Sequence, residues 1–373
     1  MKNILFSLLT IGGLIFFAQC GRADASEKSV KDTFGDKFLI GAAVNVNQVN
    51  GTDSCGAALV KKHFNSIVAE NCMKSEVIHP EQNRYFWDDA DRLVEFGEAN
   101  DIKVTGHCLI WHSQLAPWFV YDGEGNYVCA DTLKQRMKDH ISAVVGRYKG
   151  RIIGWDVVNE AILEDGSYRQ SPFYEILGEE YIPLAFQYAH EADPDAQLYY
   201  NDYGMNRPEK RETVVKLVND LKNRGLRIDA IGMQGHMGMD YPQIEEFEQS
   251  LKDFAATGCK VMITEWDMSA LPTVTQSANI SDTAEYEKKL NPYPDGLPDE
   301  VAQEWNDRMQ MFFELFLKHS DDISRVTFWG VSDGDSWKND WPIKGRKEYP
   351  LLFDRSYELK PFMKTLIENT QPV

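Results

Sequence analysis

Gly154-Trp155-Asp156-Val157-Val158-Asn159-Glu160 reads as a buried β-strand, an apolar and β-branched run that stops abruptly at an amide and a carboxylic acid. A core strand gains nothing by finishing in Asn-Glu, because an unpaired carboxylate near apolar surroundings is costly. An acid there makes sense if its surroundings let it hold a proton to give away. The design returns in Cys259-Lys260-Val261-Met262-Ile263-Thr264-Glu265-Trp266-Asp267, where a second short strand delivers a second Glu. Two strands, each ending in a Glu, suggest a carboxylate pair.

Outward from these two strands the chain alternates. Strands are expected at 38–45, 64–70, from 103 into His107, then at 152–160, 197–201, 230–236, 260–265 and 325–329. Between them fall helical stretches at 55–63, 87–100, 132–148, 171–194, 208–224, 242–257, 299–319 and 360–369. Alternation of this kind points to a parallel sheet, and eight units point to a closed (β/α)8 barrel (a TIM barrel), expected as one domain over 34–371. An open doubly wound sheet would want a Gly-rich phosphate loop after a strand, and none of that type occurs.

Catalytic groups of such barrels sit at the C-terminal strand ends. Polar residues collect there: Glu70, Asn71 and Lys74 after the second strand, and His107, Trp111 and His112 after the third. Asn159 and Glu160 end the fourth, Asn201 the fifth, Gln234 and His236 the sixth, Glu265 and Asp267 the seventh, and Trp329 the eighth. Packing alone does not produce this on seven strands. The fourth and seventh strands lie roughly opposite each other in an eight-stranded ring, so Glu160 and Glu265 would face across it. Glycoside cleavage needs such a pair, a proton donor for the leaving oxygen and a second carboxylate across the bond.

Gln234 and His236 are two apart and share a strand face, as do Glu265 and Asp267. A His between two carboxylates could hold Glu265 ionised while Asp267 fixes the ring's tautomer. His107 and His112, five apart, would both reach a pocket only if the strand stopped near Leu109. A zinc site built from His107, His112, His236 and Asp267 is the rival idea. The first strand lacks the HxH of a barrel metallohydrolase, so neither metal nor cofactor is expected. Trp329 and Trp337 suggest platforms for sugar rings, Trp337 because it lies in the polar stretch Asp333-Gly-Asp-Ser-Trp-Lys-Asn.

The net charge of −19 argues against nucleic acid and anionic lipid surfaces but leaves a neutral polymer indifferent. Lys2, the apolar run 4–18 and Cys20 form an export signal over 1–19, too short to span a bilayer, which takes about 20 residues. A Cys in that place resembles a bacterial lipoprotein signal, with Cys20 acylated; a plain secretory signal cut near Ala25 is the alternative. Residues 20–33 then form a tether, and the protein is expected outside the cytoplasm, periplasmic, surface-bound or secreted. Cys55, Cys72, Cys108, Cys129 and Cys259 show no zinc-like spacing, and their odd number leaves at least one unpaired.

Together these stretches resemble glycoside hydrolase family 10, the barrel-fold endo-β-1,4-xylanases, over nearly the whole chain. The matching runs are Glu70-Asn-Cys-Met-Lys74, Gly106-His-Cys-Leu-Ile-Trp-His112, Trp155-Asp-Val-Val-Asn-Glu160, Asn201-Asp-Tyr203, Gln234-Gly-His236, Thr264-Glu-Trp-Asp267 and Phe328-Trp-Gly330. The resemblance implies hydrolysis of xylan with retained configuration, Glu160 as acid/base and Glu265 as nucleophile. It implies Asn159 on the substrate 2-hydroxyl, His236 and Asp267 in support of the nucleophile, and Asn71, Lys74, His107, Trp111, Gln234, Trp329 and Trp337 around the glycone. A monomer acting on xylan and xylo-oligosaccharides is the expected assembly. The chain departs from the family at Trp266, where a smaller aliphatic residue is usual, and in the long stretch 269–298; both are expected to border the site. A cellulase or mixed β-glucanase with the same carboxylates is the nearest rival. A sugar-binding barrel without activity should have lost a Glu, and both are present.

Overall fold

Strands with β-branched and aromatic residues on both faces need cover on both sides, which a ring of helices around a closed parallel sheet provides. A computed structural model describes residues 28–272 and 289–370 of this chain. Its strands are β1 (Leu39–Val44), β2 (Ser66–Ala69), β3 (Lys103–Trp111), β4 (Ile152–Asn159), β5 (Gln197–Asp202), β6 (Ala230–Met233), β7 (His236–Gly238), β8 (Lys260–Ser269) and β9 (Ile323–Phe328). Every pairing is parallel, in the order β6-β5-β4-β3-β2-β1-β9-β8, and β6 pairs with β8 to close the ring. This is the expected (β/α)8 barrel.

The expected sixth strand, 230–236, is two strands. Gly235 takes φ +80°, a left-handed conformation that glycine adopts without Cβ strain, and the chain breaks there between β6 and β7. After the break β7 pairs only with the far end of β8, setting His236 opposite Asp267. Gly232 earns its place differently: a Cβ there would collide with the Asn201 amide and crowd Thr264. The expected helix over 171–194 is likewise broken, into Pro172–Leu177 and Tyr181–Ala192, with Gly178 at φ +61° between them.

Residues that alternate along the strands divide between two compartments. The outer faces and the helices form one large apolar core that includes Ile40, Val104, Trp155, Val157, Ile231 and Phe316. The barrel interior holds small separate clusters, Tyr199 with Ala230 and Met262 at one level, and Ala43 with Val68 and Trp329 nearer the site. Trp266 belongs to the outer core. It is fully buried and packs on Phe313, Phe316 and Phe328, so it does not border the site as expected, because Glu265 and Asp267 on either side take the opposite direction.

The folded chain begins earlier than 34. Ser29 caps a helix, Val30–Phe34, by accepting from the Asp32 amide, and Val30 and Phe34 are buried, with the Phe34 ring 5.0 Å from Phe313. Residues 29–33 are therefore part of the packed domain rather than tether. The signal segment, Cys20 and the interior of the 269–298 stretch lie outside the described residues. Cys72, Cys108 and Cys259 are buried free thiols and Cys129 is an exposed one. No described helix is long and apolar enough to cross a membrane.

Candidate active site

A cleft of about 900 Å³ opens at the C-terminal ends of the strands. Glu70, Asn71, Lys74, His107, Trp111, Asn159, Glu160, Gln234, His236, Glu265, Trp329 and Trp337 all line it. Asn201 and Asp267 lie beneath, fully buried, and reach the lining through hydrogen bonds. His112 is elsewhere. β3 does not stop near Leu109 but continues to Trp111, which leaves His112 behind the indole beside Phe173 and Tyr181. There burial, with the nearby Arg169 charge, lowers its pKa to about 4.

Two register irregularities bring the polar groups together. Asp156 and Asn159 are three apart, which a regular strand would put on opposite faces. A shift in the β4–β5 pairing between Asp156 and Val158 turns both toward the interior. Asp156 Oδ2 then lies 2.9 Å from His107 Nδ1, and Asn159 Oδ1 accepts from Asn201 Nδ2 at 2.9 Å. With its amide turned over, Asn159 would instead donate to the Asn201 carbonyl at 3.2 Å, so both orientations tie it to Asn201. A second shift, in the β8–β9 pairing between Ile263 and Trp266, lets the consecutive Thr264 and Glu265 both meet Asn201, at 2.6 and 2.8 Å.

Glu265 Oε2 is 3.1 Å from His236 Nε2, and His236 Nδ1 is 2.9 Å from Asp267 Oδ2. Burial pushes the Glu265 carboxyl up, but the His236 hydrogen bond, the His107 and His236 charges and the Asn201 amide outweigh it and hold the group below its ordinary value. Asp267 is lowered to about 2 against the same burial penalty, by the charges and hydrogen bonds of His236 and Lys338. His236 answers in kind: burial alone would lower it, but Asp267 and Glu265 raise it to about 9. The trio is a cation between two anions through the neutral range.

Lys338 completes it, donating to Asp267 Oδ1 at 2.7 Å and to Ser269 at 2.8 Å, while Trp337 Nε1 donates to Asp267 Oδ2 at 2.9 Å. Neither contact was legible in the sequence, although Lys338 follows directly on Trp337 in the polar stretch. Trp337 is thus anchored by its edge, leaving a ring face toward the cleft with 40% of the residue exposed.

Glu160 is held otherwise. Its Oε2 accepts from Trp111 Nε1 at 2.9 Å and its Oε1 from Gln234 Nε2 at 3.0 Å, both neutral donors. Its backbone sits at φ +58°, a left-handed conformation that costs a non-glycine residue on the order of 1–3 kcal/mol. Glu70, farther along the cleft, is raised above its ordinary range by burial and then by Asp335, against the lowering pull of Lys74 and its amide neighbours. Lys74 donates to Asn71 at 2.9 Å and to Gln114 at 2.7 Å.

The zinc set weighed from the sequence is not assembled: His107 pairs with Asp156, His236 with Glu265 and Asp267, and His112 lies outside the cleft. Among the described residues no group of three or more His, Cys, Asp or Glu is placed to hold a metal ion. Beyond Glu160 the cleft continues over residues that the sequence did not single out, among them Glu164, Arg207, Tyr241 and Glu246. They come from the segments after β4, β5 and β7, Glu246 from the first turn of the helix Ile244–Ala255, and no local pattern reveals their approach to one another.

Known proteins resemble this chain over nearly its whole length. The profile described as Glycosyl hydrolase family 10 matches residues 29–369. Endo-1,4-beta-xylanase A of Xylanibacter ruminicola is 50% identical over 345 residues, 92% of this chain and 94% of that protein. Beta-1,4-xylanase of Dictyoglomus thermophilum is 41% identical over 367 residues, 96% of this chain and 97% of its own length. Among solved structures, a GH10 endoxylanase retrieved from a sugarcane soil metagenome superposes with a TM-score of 0.86 at 40% identity, covering 92% of this chain and all of its own.

Proposed function

The chain belongs to glycosyl hydrolase family 10, and we propose that it cuts internal β-1,4-xylosidic bonds of xylan with retained configuration, Glu160 serving as acid/base and Glu265 as nucleophile. The observation that carries the assignment is the asymmetry of donors. Glu265 takes a charged donor, His236, and is held ionised, as attack on an anomeric carbon requires. Among the described residues the donors to Glu160 are both neutral, Trp111 and Gln234, which suit a group that must be protonated in one half of the cycle and ionised in the other.

In the first half-reaction the protonated Glu160 gives its proton to the glycosidic oxygen as Glu265 forms an ester with the sugar. The ester removes the charge of Glu265. Asp267, itself neutralised by Lys338, then keeps His236 protonated without help from the nucleophile. Glu160, now ionised, draws a proton from the incoming water, and the product leaves with its original configuration. Asn159 reaches the 2-hydroxyl of the sugar beside Glu265, and Glu70, Asn71, Lys74, His107, Trp329 and Trp337 bind the glycone. No step calls for a cofactor.

Incubation with unbranched β-1,4-xylan, followed by proton NMR, tests this reading. Short oligosaccharides formed first as the β-anomer support it; an initial α-anomer or no cleavage overturns it. Relative rates on aryl xylobioside and cellobioside separate a xylanase from a β-glucanase. The same proposal includes an exported protein acting as a monomer, led by the signal over 1–19 and anchored through acylated Cys20. Mass spectrometry of the mature N-terminus reads the acyl chains directly, and a mature chain starting near residue 26 would overturn the anchor.

A further inference from the structure

Three consecutive residues just after β4 are gripped through their backbone by side chains that the catalytic scheme does not use. The Glu160 carbonyl accepts from Arg169 Nε at 2.9 Å, while its amide donates to the Asn201 carbonyl at 2.9 Å. The Ala161 amide donates to Tyr200 Oη at 3.2 Å, and the Ile162 amide to Asp202 Oδ2 at 3.3 Å. Arg169 is fixed in turn, its guanidinium donating to Tyr203 Oη at 2.7 Å and its amide to the Ala161 carbonyl at 2.8 Å. Tyr200 donates to Asp202 Oδ2 at 2.5 Å, and Lys210 Nζ donates to Asp202 Oδ1 at 2.7 Å.

The last of these contacts sets the group apart from ordinary loop bonding. Asp202 and Lys210 are both fully buried, an ion pair whose desolvation is expensive and which an apolar pair of similar volume could often replace without loss of stability. Lys210 also lies 4.0 Å above the Tyr203 ring, so the pair is joined to the same tyrosine that steadies Arg169. All these groups converge on the turn at Glu160, a non-glycine residue whose backbone is left-handed at φ +58°. Such a conformation persists only where the surroundings over-determine it.

We propose that Arg169, together with Tyr200 and the Asp202–Lys210 pair, is a positioning device for the proton donor, holding the left-handed turn that aims Glu160 at the glycosidic oxygen. The proposal rests on Glu160 being the acid/base. A donor rotated out of line still lets an activated aryl group depart unaided, but it cannot protonate a sugar leaving group. The loss on removing Arg169 therefore depends on the leaving group, which a general loosening of the fold would not produce.

The test compares Arg169→Met with wild type on xylotetraose and on 2,4-dinitrophenyl xylobioside, reading kcat and KM for the first and kcat/KM for the second. A misplacement of about 1 Å can cost on the order of 10²-fold, so kcat on xylotetraose should fall by about that factor with KM within about twofold. The dinitrophenyl glycoside should lose less than about threefold, and Arg169→Lys should recover part of the loss, because it keeps a cation but not the fork. Added to Glu160→Ala, the Met substitution should cost less than about twofold, since residues that act as a unit are not additive. Equal losses on both substrates, or full additivity in the double variant, overturn the proposal. Should Arg169→Met not fold, Tyr200→Phe, which removes only the hydroxyl between Ala161 and Asp202, must show the same leaving-group dependence or the proposal fails. If Glu160→Ala itself shows no leaving-group dependence, it is the acid/base assignment that falls, whatever Arg169 does.

Discussion

Glu160 follows the last residue of its strand in left-handed backbone, whereas Glu265 lies in the middle of the ten-residue strand β8. One is steered through its backbone and capped by neutral donors; the other is fixed by strand pairing and faces a cation. The difference matches two tasks. A group that changes protonation twice per turnover needs a precise position and no fixed charge beside it. A group that must stay ionised until it reacts needs the reverse. A strand of the barrel holds the proposed nucleophile, and the strand-to-loop junction holds the proposed acid.

The sharpest way to break that comparison is to delete each carboxyl. Glu265→Ala should lose on the order of 10⁴-fold or more in kcat/KM on both xylan and activated aryl xylobiosides, because no other group forms the ester. Glu160→Ala should lose roughly 10²–10⁴-fold on xylan yet keep the pre-steady-state release of an activated phenol nearly intact. Parallel losses in both variants on both substrates would erase the distinction.

A smaller effect is expected from the histidine. His236→Asn keeps a hydrogen-bonding side chain but removes the cation, and should lower kcat/KM by roughly 10²-fold, as loss of a preorganised charge stabiliser does. In wild type, loss of the Glu160 proton sets one alkaline limb of kcat/KM, and His236, which gives up its proton near pH 9, should add a second, steeper limb around that value. The Asn variant should lack that limb. An unchanged alkaline limb would mean that another group sets it.

The smallest expected effect concerns stability, and here the histidine of the cleft and the histidines of the core act in opposite directions. His236 has a folded pKa of about 9, above its ordinary 6.5, so its contribution is fully present below pH 6.5 and is lost as pH rises through 9. His79 and His140 sit with their Nδ1 atoms 3.0 Å apart, and burial lowers them to about 4 and about 3. Their contribution is fully present above pH 6.5 and is lost as pH falls through those values, when the unfolded chain takes up protons that the folded chain resists. Thermal midpoints measured by calorimetry across pH 3–10 should therefore fall at both ends. His140→Gln should lessen the fall on the acid side and leave the alkaline side unchanged.

Much of the site was legible because its chemistry is written at strand ends. Glu160, Glu265, Gln234 and His236 each interrupt an apolar run where a core would not tolerate them, and the pairing of His236 with Glu265 and Asp267 follows from spacings of two. The two misplaced residues lie where regular alternation continues further than expected. His112 was placed in the cleft on the condition that β3 stop early, and Trp266 was expected beside the site although its neighbours claim that face. Asp156 carried a readable signal, a carboxylate inside an apolar strand, but its partner His107 lies on another strand.

By itself the sequence determined the barrel, the two carboxylates and the family, because hydrophobic period, strand-end polarity and motif order are local properties that survive without coordinates. Only the tertiary structure decided which residues besides His236 act on those carboxylates. The register shifts in β4 and β8, the break at Gly235 and the convergence of Arg169, Asp202 and Lys210 on the Glu160 turn depend on how separate strands slide and pack against one another. Those adjustments are settled by the closure of the ring as a whole, and no short stretch of chain contains enough of the ring to specify them.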